Sequence, residues 1–257
     1  MAQVLKTPRL YSAPDAPTGI CPGCGYGIIK HILADVFHEM DIDKSAIGVL
    51  GIGCSGFVSR NFDIDWLQAQ HGRAPASATG IKRLLPDNVV FTFQGDGDLA
   101  AIGSAEIIHA AARNEKMTVL FVNNGIYGMT GGQMAPTTLE NQVTVTSPFG
   151  RDPETAGMPI KITEMISVLP VAYVARGAIF NPKEIQKTKA YVKKAFEAQL
   201  NKEGFSMVEI LSPCPTNWHM SPVKSMERIE NEVIAYYPLG EIPAGKGTGK
   251  EEAQCTK

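Results

Sequence analysis

Two short polar motifs, each placed directly after an apolar run, constrain the fold of this chain more than any other feature. The first is Gly-Asp-Gly-Asp at 95–98 and the second is Asn-Asn at 123–124. Twenty-five residues separate the third residue of the first motif from the second motif, which is room for one helix and one strand. The chain can therefore return to the sheet beside its starting point. We predict that Asp96 and Asn124 face each other across one crevice, at the carboxyl ends of neighbouring parallel strands.

The side chains of this predicted crevice suit a hard divalent cation. A carboxylate from Asp96 and an amide oxygen from Asn124 are the kind of ligands that such cations prefer, and phosphate and water usually complete the coordination. The glycines of the first motif let the backbone approach phosphate groups, and the helix that follows would direct its N-terminus toward them. The alternative is a common Gly-Asp-Gly turn between strand and helix, with an unrelated pair of asparagines.

Helices and strands alternate along the chain, which predicts an α/β fold. The predicted strands are 46–51, 89–94, 117–122, 171–176 and 205–211, and the predicted helices are 25–40, 74–85, 99–113, 161–168, 182–200 and 222–236. The runs at 89–94 and 117–122 lack the alternation of a one-sided sheet, so we expect strands buried on both faces. This order predicts a doubly wound, mainly parallel sheet with helices on both faces.

The chain is long enough for one large domain. It has 257 residues, of which 44% are hydrophobic, and we assign 1–241 to a single domain and 242–257 to a flexible tail. The segment 125–157 shows no hydrophobic period, and a loop of this length is usually functional or a partner contact.

Composition argues against several classes of partner. The net charge is −2, from 24 Lys and Arg against 26 Asp and Glu, and neither sign forms a long run, so neither a nucleic-acid nor a membrane partner is expected. We find no apolar stretch of membrane-spanning length and no signal peptide, and therefore expect a cytoplasmic protein.

Five cysteines in such a protein are more readily metal ligands or free thiols than disulfides. Cys21 and Cys24 form a C-x-x-C pair, Cys54 lies in a glycine-rich segment, and Cys214 lies between two prolines. Cys255 lies in the predicted tail. Four thiolates from three segments can hold a [4Fe-4S] cluster or a structural zinc, and spacing alone does not separate the two.

The paired polar motifs resemble the diphosphate-binding motif of thiamine diphosphate enzymes, in which GDG is followed about 25 residues later by NN. This resemblance implies a thiamine diphosphate-binding fold of the diphosphate-binding type. It also implies that the protein ligands of Mg²⁺ are Asp96, Asn124 and the main-chain carbonyl of Ile126.

A wider set of motifs resembles the β subunit of 2-oxoacid:ferredoxin oxidoreductases. These motifs are Cys-Pro-Gly-Cys-Gly at 21–25, Gly-Ile-Gly-Cys-Ser-Gly at 51–56, His-Gly-Arg at 71–73, the two polar motifs, Tyr-Gly-Met-Thr-Gly-Gly-Gln at 127–133, and Ser-Pro-Cys at 212–214. The resemblance runs from about Cys21 to Pro238. It implies that the ligands of a [4Fe-4S] cluster are Cys21, Cys24, Cys54 and Cys214.

The same resemblance implies a set of cofactor-binding residues. They are Gly53, Cys54, Ser55, His71, Gly95, Asp96, Gly97, Asp98, Asn124, Ile126, Gly128, Met129 and Thr130. His71 and Thr130 are the candidate catalytic residues. For each there is a structural alternative, because a lone histidine in a turn is commonly structural and Thr130 can simply cap its loop.

The activity implied by the resemblance is the oxidative decarboxylation of a 2-oxoacid to acyl-CoA and CO₂, with electrons passing through the cluster to ferredoxin. The implied partners are an α subunit that completes the active site, γ and ferredoxin-like δ subunits, ferredoxin, coenzyme A and the 2-oxoacid. Because Phe57 adds apolar character near Cys54, we expect 2-oxoisovalerate or another branched-chain substrate first and 2-oxoglutarate next. Arg60 or Arg73 can reverse that order.

Two other functions are compatible with parts of the sequence. One is a non-redox thiamine diphosphate decarboxylase or acyloin synthase subunit, in which the cysteines are incidental. The other is a zinc-stapled scaffold without catalytic activity, although such a scaffold has no evident use for a polar crevice suited to a divalent cation.

Overall fold

A seven-stranded sheet forms the centre of the protein in a computed structural model, which describes residues 18–60 and 62–245. The strands in these ranges are β1 (Ala46–Leu50), β2 (Asp65–Gln68), β3 (Val89–Gly95), β4 (Thr118–Asn123), β5 (Ile126–Tyr127), β6 (Gln133–Met134), β7 (Tyr173–Ala178), β8 (Ser206–Leu211) and β9 (Gly240–Glu241). The order in the sheet is β2-β1-β3-β4-β8-β7-β9, and β5 and β6 form a separate hairpin. All neighbours in the large sheet are parallel except β7 and β9.

Helices cover both faces of this sheet. The α-helices are α1 (Tyr26–Met40), α2 (Ala74–Leu84), α3 (Ser104–Ala112), α4 (Pro153–Ala156), α5 (Ile162–Ser167), α6 (Pro182–Leu200), α7 (Pro215–Trp218), α8 (Pro222–Arg228) and α9 (Ile234–Tyr236). Buried residues of α1 and α6 share one hydrophobic cluster, and those of α2, α3 and α5 share a second. The predicted α/β class, with a mainly parallel sheet between two helical layers, is confirmed.

The central strands are apolar because they contact both helical layers. In β3, Phe91 packs into the cluster of α1 and α6, whereas its neighbour Val90 packs into the cluster on the opposite face. The ring of Phe91 meets the rings of Phe37 and Phe196 edge-on, at centroid distances of 5.4 and 5.8 Å. Both faces of β3 are therefore buried, which explains why its sequence lacks alternation.

The predicted helix 99–113 is interrupted. A π-helical segment (Gly97–Ile102) ends at Gly103, and α3 begins after it. A Cβ atom on Gly103 would lie 2.7 Å from the carbonyl oxygen of Gly72, so the two backbones approach more closely than any side chain permits. The interruption therefore lies where the segment after β3 meets a loop from another part of the sheet, and π-segments of this kind are common at functional sites.

Several short elements differ from the predictions. Strand β2 and strand β9 at the sheet edges were not predicted, and the segment 125–157 contains the β5–β6 hairpin and α4. Of the predicted tail, Ile242 still donates a backbone hydrogen bond to Val174 at 2.9 Å. The rest of the predicted tail, 246–257 with Cys255, lies outside the described residues. The N-terminal segment, in which we predicted no signal peptide, also lies outside them. No helix within the described ranges combines the length and the apolarity needed to cross a membrane.

Candidate active site

The predicted crevice is present at the carboxyl ends of β3 and β4. The buried carboxylate of Asp96 accepts hydrogen bonds from the backbone N–H of Gly97 at 2.8 Å, from that of Gly125 at 2.6 Å and from the hydroxyl of Thr137 at 2.7 Å. Burial raises the pKa of Asp96 to about 6, and the three donors oppose this rise because they favour the charged form. Asp96 is thus held in one orientation by groups from two loops.

Asn124 and Ile126 lie next to each other in the lining of the crevice. The side-chain oxygen of Asn124 accepts a hydrogen bond from the backbone N–H of Ile126 at 3.2 Å, and its backbone oxygen accepts one from Nε1 of Trp218 at 3.1 Å. Together with Asp96, these two residues line one cavity of about 100 Å³. The three predicted ligands of Mg²⁺ are therefore close together.

Two tyrosines pack against the glycines of the first motif. A Cβ atom on Gly97 would lie 2.1 Å from the ring of Tyr127, whose hydroxyl donates to the Gly97 carbonyl at 3.1 Å. A Cβ atom on Gly95 would lie 3.2 Å from the hydroxyl of Tyr26. Glycine is required at position 97 because the ring of Tyr127 closes that side of the turn, and the hydroxyl of Tyr26 leaves little room for a side chain at position 95.

Asp98 connects two other loops to this turn. Its Oδ1 atom accepts hydrogen bonds from the backbone N–H groups of Ile52 at 3.0 Å and Gly72 at 2.8 Å. Nε2 of His71 lies 3.5 Å from the same oxygen, and the His71 ring meets Tyr127 edge-on at 6.5 Å. Both Asp98 and His71 line the cavity. The hydrogen bonds of Asp98 show how it shapes the site, because they hold the loops that carry Ile52 and His71.

The remaining predicted cofactor residues also line the cavity; they are Gly53, Cys54, Ser55, Gly128, Met129 and Thr130. The hydroxyl of Ser55 is buried and has no hydrogen-bond partner among the described residues. Thr130 is exposed, and its hydroxyl donates to Oε1 of Gln133 at 2.6 Å. Ser55 therefore lines the cavity and has a hydroxyl without a described partner, whereas Thr130 has a partner within its own loop.

The four predicted cluster cysteines line a second cavity, of about 240 Å³, beside the first. Cys21 is exposed, Cys24 and Cys54 are partly buried, and Cys214 is buried. Burial raises the pKa of Cys24 to about 12 and that of Cys54 to about 11, with smaller contributions from the neighbouring cysteines. Burial also raises the pKa of Cys214. In the described part of the chain, no three His, Cys, Asp or Glu side chains converge closely enough to hold a single metal ion.

One loop separates the two cavities. Asn124, Gly128 and Met129 line both of them, as do Tyr26 and Cys54. A Cβ atom on Gly128 would lie 3.4 Å from the sulfur of Cys54 and 3.6 Å from that of Cys214. The segment that carries two of the three predicted Mg²⁺ ligands, Asn124 and Ile126, is thus also adjacent to the predicted cluster ligands Cys54 and Cys214.

Beneath the crevice lies a buried charged group that the sequence analysis did not identify. Oε1 of Glu209 accepts a hydrogen bond from Nδ2 of Asn123 at 2.7 Å, and its Oε2 accepts one from Nε of Arg176 at 2.6 Å. Arg176 also makes a two-point contact with Glu164, at 2.8 and 2.6 Å. A carboxylate in the sheet therefore orients the first asparagine of the Asn-Asn motif.

The sequence contained a signal for some of the residues that were missed. Glu209 and Arg176 are single charged residues within otherwise apolar strands, and they lie directly opposite each other in the register of β7 and β8. Asn217 and Trp218 follow Cys214 closely, and both donate to the loop between the cavities. Thr137 lies in the aperiodic segment 125–157 and had no local signal.

The chain is similar to several known proteins. The family model for the thiamine pyrophosphate enzyme, C-terminal TPP binding domain, matches residues 51–210. Ketoisovalerate oxidoreductase subunit VorA of Methanothermobacter thermautotrophicus is 44% identical over 229 residues, which cover 89% of this chain and 48% of VorA. The chain therefore spans about half the length of that relative.

Two further relatives are matched over most of their length. 2-Oxoglutarate synthase subunit KorB of Archaeoglobus fulgidus is 39% identical over 215 residues, which cover 83% of this chain and 76% of KorB. A solved structure of the 2-oxoglutarate:ferredoxin oxidoreductase from Magnetococcus marinus superposes with a TM-score of 0.74 and 29% identity, covering 90% of this chain and 74% of that one. The resemblance inferred from the motifs is confirmed: the chain belongs to the family of thiamine pyrophosphate-binding subunits of 2-oxoacid:ferredoxin oxidoreductases.

Proposed function

We propose that this chain is the β subunit of a coenzyme A-dependent enzyme that oxidatively decarboxylates a 2-oxoacid to acyl-CoA and CO₂ and passes the electrons through a [4Fe-4S] cluster to ferredoxin. The observation that carries this proposal is the loop that lines both cavities, with the carboxylate–amide crevice on one side and four cysteines on the other. Such an arrangement suits a reaction in which a bound organic cofactor delivers electrons to an adjacent inorganic group.

The crevice fits thiamine diphosphate with Mg²⁺. Asp96, Asn124 and the carbonyl of Ile126 would hold the cation, and the orphaned hydroxyl of Ser55 offers a hydrogen bond that no described residue accepts. The glycines at positions 95 and 97 let the diphosphate approach the backbone. When bound, thiamine diphosphate supplies the carbanion chemistry that releases CO₂ from a 2-oxoacid.

His71 and Thr130 are the proposed catalytic residues on this chain. His71 lies at the cavity with Nε2 3.5 Å from the carboxylate of Asp98, which places its ring near the cofactor position. Thr130 lies on the opposite loop and would have to exchange its bond to Gln133 for one to substrate or cofactor. We therefore expect the His71 variant to lose more activity than the Thr130 variant.

The cysteine cavity fits an iron–sulfur cluster better than a zinc ion. A structural zinc needs its sulfur ligands about 2.3 Å from one centre, and the described cysteines do not converge on a single ion site. They surround a cavity of about 240 Å³, which suits a larger inorganic group. Cys21, Cys24, Cys54 and Cys214 would hold this cluster, which would accept electrons one at a time. This arrangement also argues against a non-redox enzyme, in which the cysteines would have no common cavity to line.

The active site needs a partner subunit to be complete. The crevice has a volume of about 100 Å³, below the usual size of a ligand pocket, so this chain supplies one wall of the cofactor site. No glutamate is among the described residues that line it, although the family uses a glutamate to protonate the aminopyrimidine ring. We propose that an α subunit supplies this residue and that γ and ferredoxin-like δ subunits complete the complex.

The proposed substrate is 2-oxoisovalerate or another branched-chain 2-oxoacid, with 2-oxoglutarate as the second candidate. Arg73 is ion-paired with Glu106, and the guanidinium of Arg60 stacks on the Phe57 ring at 4.7 Å. Neither arginine lines the crevice or the cysteine cavity, so neither is placed to meet a second carboxylate of the substrate. Names of the relatives include both ketoisovalerate and 2-oxoglutarate enzymes.

The test of this function is the composition and turnover of the complex purified without oxygen. We expect iron, sulfide and thiamine diphosphate in the complex, and reduction of a one-electron acceptor that depends on both a 2-oxoacid and coenzyme A. Turnover on 2-oxoisovalerate, 2-oxoglutarate and pyruvate would rank the substrates. A colourless, iron-free complex that still releases CO₂ would instead support the non-redox enzyme, and zinc without cofactor binding would support the scaffold.

Two variants connect that result to the site. Asp96→Ala should abolish thiamine diphosphate binding while leaving the iron content unchanged. Cys24→Ser should remove the cluster while leaving the crevice intact, because Cys24 lines the cysteine cavity and not the crevice. The chain purified alone should be inactive. We also propose a cytoplasmic location, because the four free thiols suit a reducing compartment.

A further inference from the structure

The side chain of Asn217 lies between the cysteine cavity and the cofactor crevice. Its Nδ2 atom is 3.4 Å from the sulfur of Cys214 and 3.0 Å from the carbonyl oxygen of Gly128. A side-chain amide carries two hydrogens, so both hydrogen bonds can form at the same time. One side chain therefore connects a predicted cluster ligand to the loop that holds the predicted Mg²⁺ ligands.

The carbonyl of Gly128 fixes the direction of the Asn217 amide group, because a carbonyl oxygen can accept a hydrogen bond only from the amide nitrogen. A Cβ atom on Gly132 would lie 3.1 Å from Oδ1 of Asn217, and one on Gly128 would lie 3.6 Å from its Nδ2. Two glycines thus leave the space that the amide fills, with the oxygen toward Gly132 and the nitrogen toward Cys214. The next residue, Trp218, donates to the backbone oxygen of Asn124, which holds the short helix α7 against the same loop.

The electrostatics of Cys214 agree with this direction. The amide nitrogen of Asn217 lies 3.4 Å from this sulfur, and a hydrogen-bond donor stabilises a negatively charged sulfur more than a neutral one. A thiolate that ligates a cluster carries more negative charge when the cluster is reduced. A donor directed at this sulfur therefore stabilises the reduced state more than the oxidised state.

We propose that Asn217 is a positioning residue that raises the reduction potential of the cluster by donating a hydrogen bond to the sulfur of Cys214. This inference rests on the proposed function, in which Cys214 ligates a [4Fe-4S] cluster. It assigns to Asn217 a role in setting how readily electrons leave the cofactor, in addition to the mechanical contact with the Gly128 carbonyl.

Two replacements of similar size test this role in the complete complex, purified without oxygen. Asn217→Leu removes the donor, and Asn217→Asp removes it and adds a negative charge beside the sulfur. The potential is read from a redox titration followed by electron paramagnetic resonance, using the signal that disappears in Cys24→Ser. We expect the equilibrium constant for reduction to fall about tenfold in Asn217→Leu, about 59 mV for one electron, and further in Asn217→Asp.

Thr216→Val is the matched control. Thr216 is exposed and lines the same cavity, but it makes no hydrogen bond to a cysteine sulfur among the described contacts. We expect this variant to keep the wild-type potential, because it changes the polarity of the cavity without touching the sulfur. A shift equal to that of Asn217→Leu would show that the potential responds to polarity in general, and would overturn the assignment.

The outcomes separate this inference from the proposed function. A wild-type complex without iron and sulfide contradicts the proposed function itself. A wild-type complex with the cluster, and with an unchanged potential in either Asn217 variant, overturns the inference alone. If neither variant assembles a cluster, the wild-type complex can be labelled with ¹⁵N at the side-chain amides of asparagine. Pulsed electron paramagnetic resonance of the reduced cluster should then show a coupling to the Asn217 amide nitrogen. The absence of this coupling would overturn the inference.

Discussion

The carboxylate of Asp96 accepts a hydrogen bond from the hydroxyl of Thr137 at 2.7 Å, although the two residues lie 41 positions apart in the chain. The backbone of Thr137 is itself held in place, because its carbonyl accepts a hydrogen bond from the hydroxyl of Tyr237 at 3.0 Å. The orientation of the proposed metal ligand thus depends on a loop and on the segment that follows α9, as well as on its own turn.

We expect Thr137→Val to weaken Mg²⁺-dependent binding of thiamine diphosphate by about tenfold, because a hydrogen bond to a charged group contributes about 1.5–3 kcal/mol. Isothermal titration with thiamine diphosphate at fixed Mg²⁺ measures the change. Thr92→Val is the control: its buried hydroxyl has no partner among the described residues, so its loss should leave binding unchanged. Equal affinity of both variants would show that the Thr137 hydroxyl does not position Asp96.

Glu209→Gln should lower the free energy of unfolding by about 3 kcal/mol, because it leaves a buried arginine with one carboxylate fewer. It should also weaken cofactor binding, since Glu209 orients Asn123. In the double variant Asn123→Asp/Glu209→Gln, the amide at position 209 donates to the carboxylate at position 123, so the hydrogen bond is restored in the opposite direction. This variant should therefore bind the cofactor more tightly than either single variant. Denaturant unfolding and cofactor titration of all four proteins give the coupling energy, and additive losses would contradict this role.

Gly97→Ala should abolish cofactor binding, because the new methyl group would lie 2.1 Å from the ring of Tyr127 and displace it toward the cavity. Gly80→Ala is the matched control. Gly80 lies inside α2 with open space around its Cα, so the methyl group should leave binding intact and raise stability by about 0.5–1 kcal/mol. Thermal unfolding and cofactor titration of both variants test the contrast, and retained binding in Gly97→Ala would refute it.

The ion pair between Glu164 and Arg176 predicts a pH-dependent contribution to stability. Burial by itself would raise the pKa of Glu164, but its bonds to Arg176 outweigh that effect and the pKa is lowered. A lowered pKa in the folded state gives stability that is present above the unfolded value of about 4.3 and is lost as the pH falls through the folded value.

Glu164→Gln should therefore be less stable than the wild type at pH 7, and the two should converge as the pH falls below about 4. Urea unfolding at a series of pH values measures the difference. Glu140→Gln, at an exposed position, removes the same charge and should show no such pH-dependent gap. A difference that persists at low pH would mean that packing, not the ion pair, accounts for the effect.

Much of the fold could be predicted because the central strands are buried on both faces and read as apolar runs. The paired polar motifs could be placed at one edge of the sheet because consecutive parallel strands end there together. The edge strand β2 was missed because its four residues, Asp65–Gln68, are mostly exposed and carry no apolar run. Strand β9 has two residues, and its pairing to β7 depends on where the chain returns after α9.

The predicted cofactor and cluster residues line two adjoining cavities, but the residues that orient them were not predictable from local patterns. Thr137 reaches Asp96 only because a long loop folds over the crevice, and no spacing rule encodes that contact. Asn217 and Trp218 follow a cysteine between prolines, where the short helix α7 was not expected. Contacts of this kind depend on tertiary packing, whereas Asp96 and Asn124 directly follow the ends of β3 and β4.

The two edges of the large sheet limit how this chain can associate with others. At one edge β2 has four residues, and at the other β9 has two and runs antiparallel to its neighbour. Edges this short expose few unpaired backbone groups, so they offer little template for a strand from another protein. We therefore expect a partner to contact the helices and loops of this chain rather than to extend its sheet.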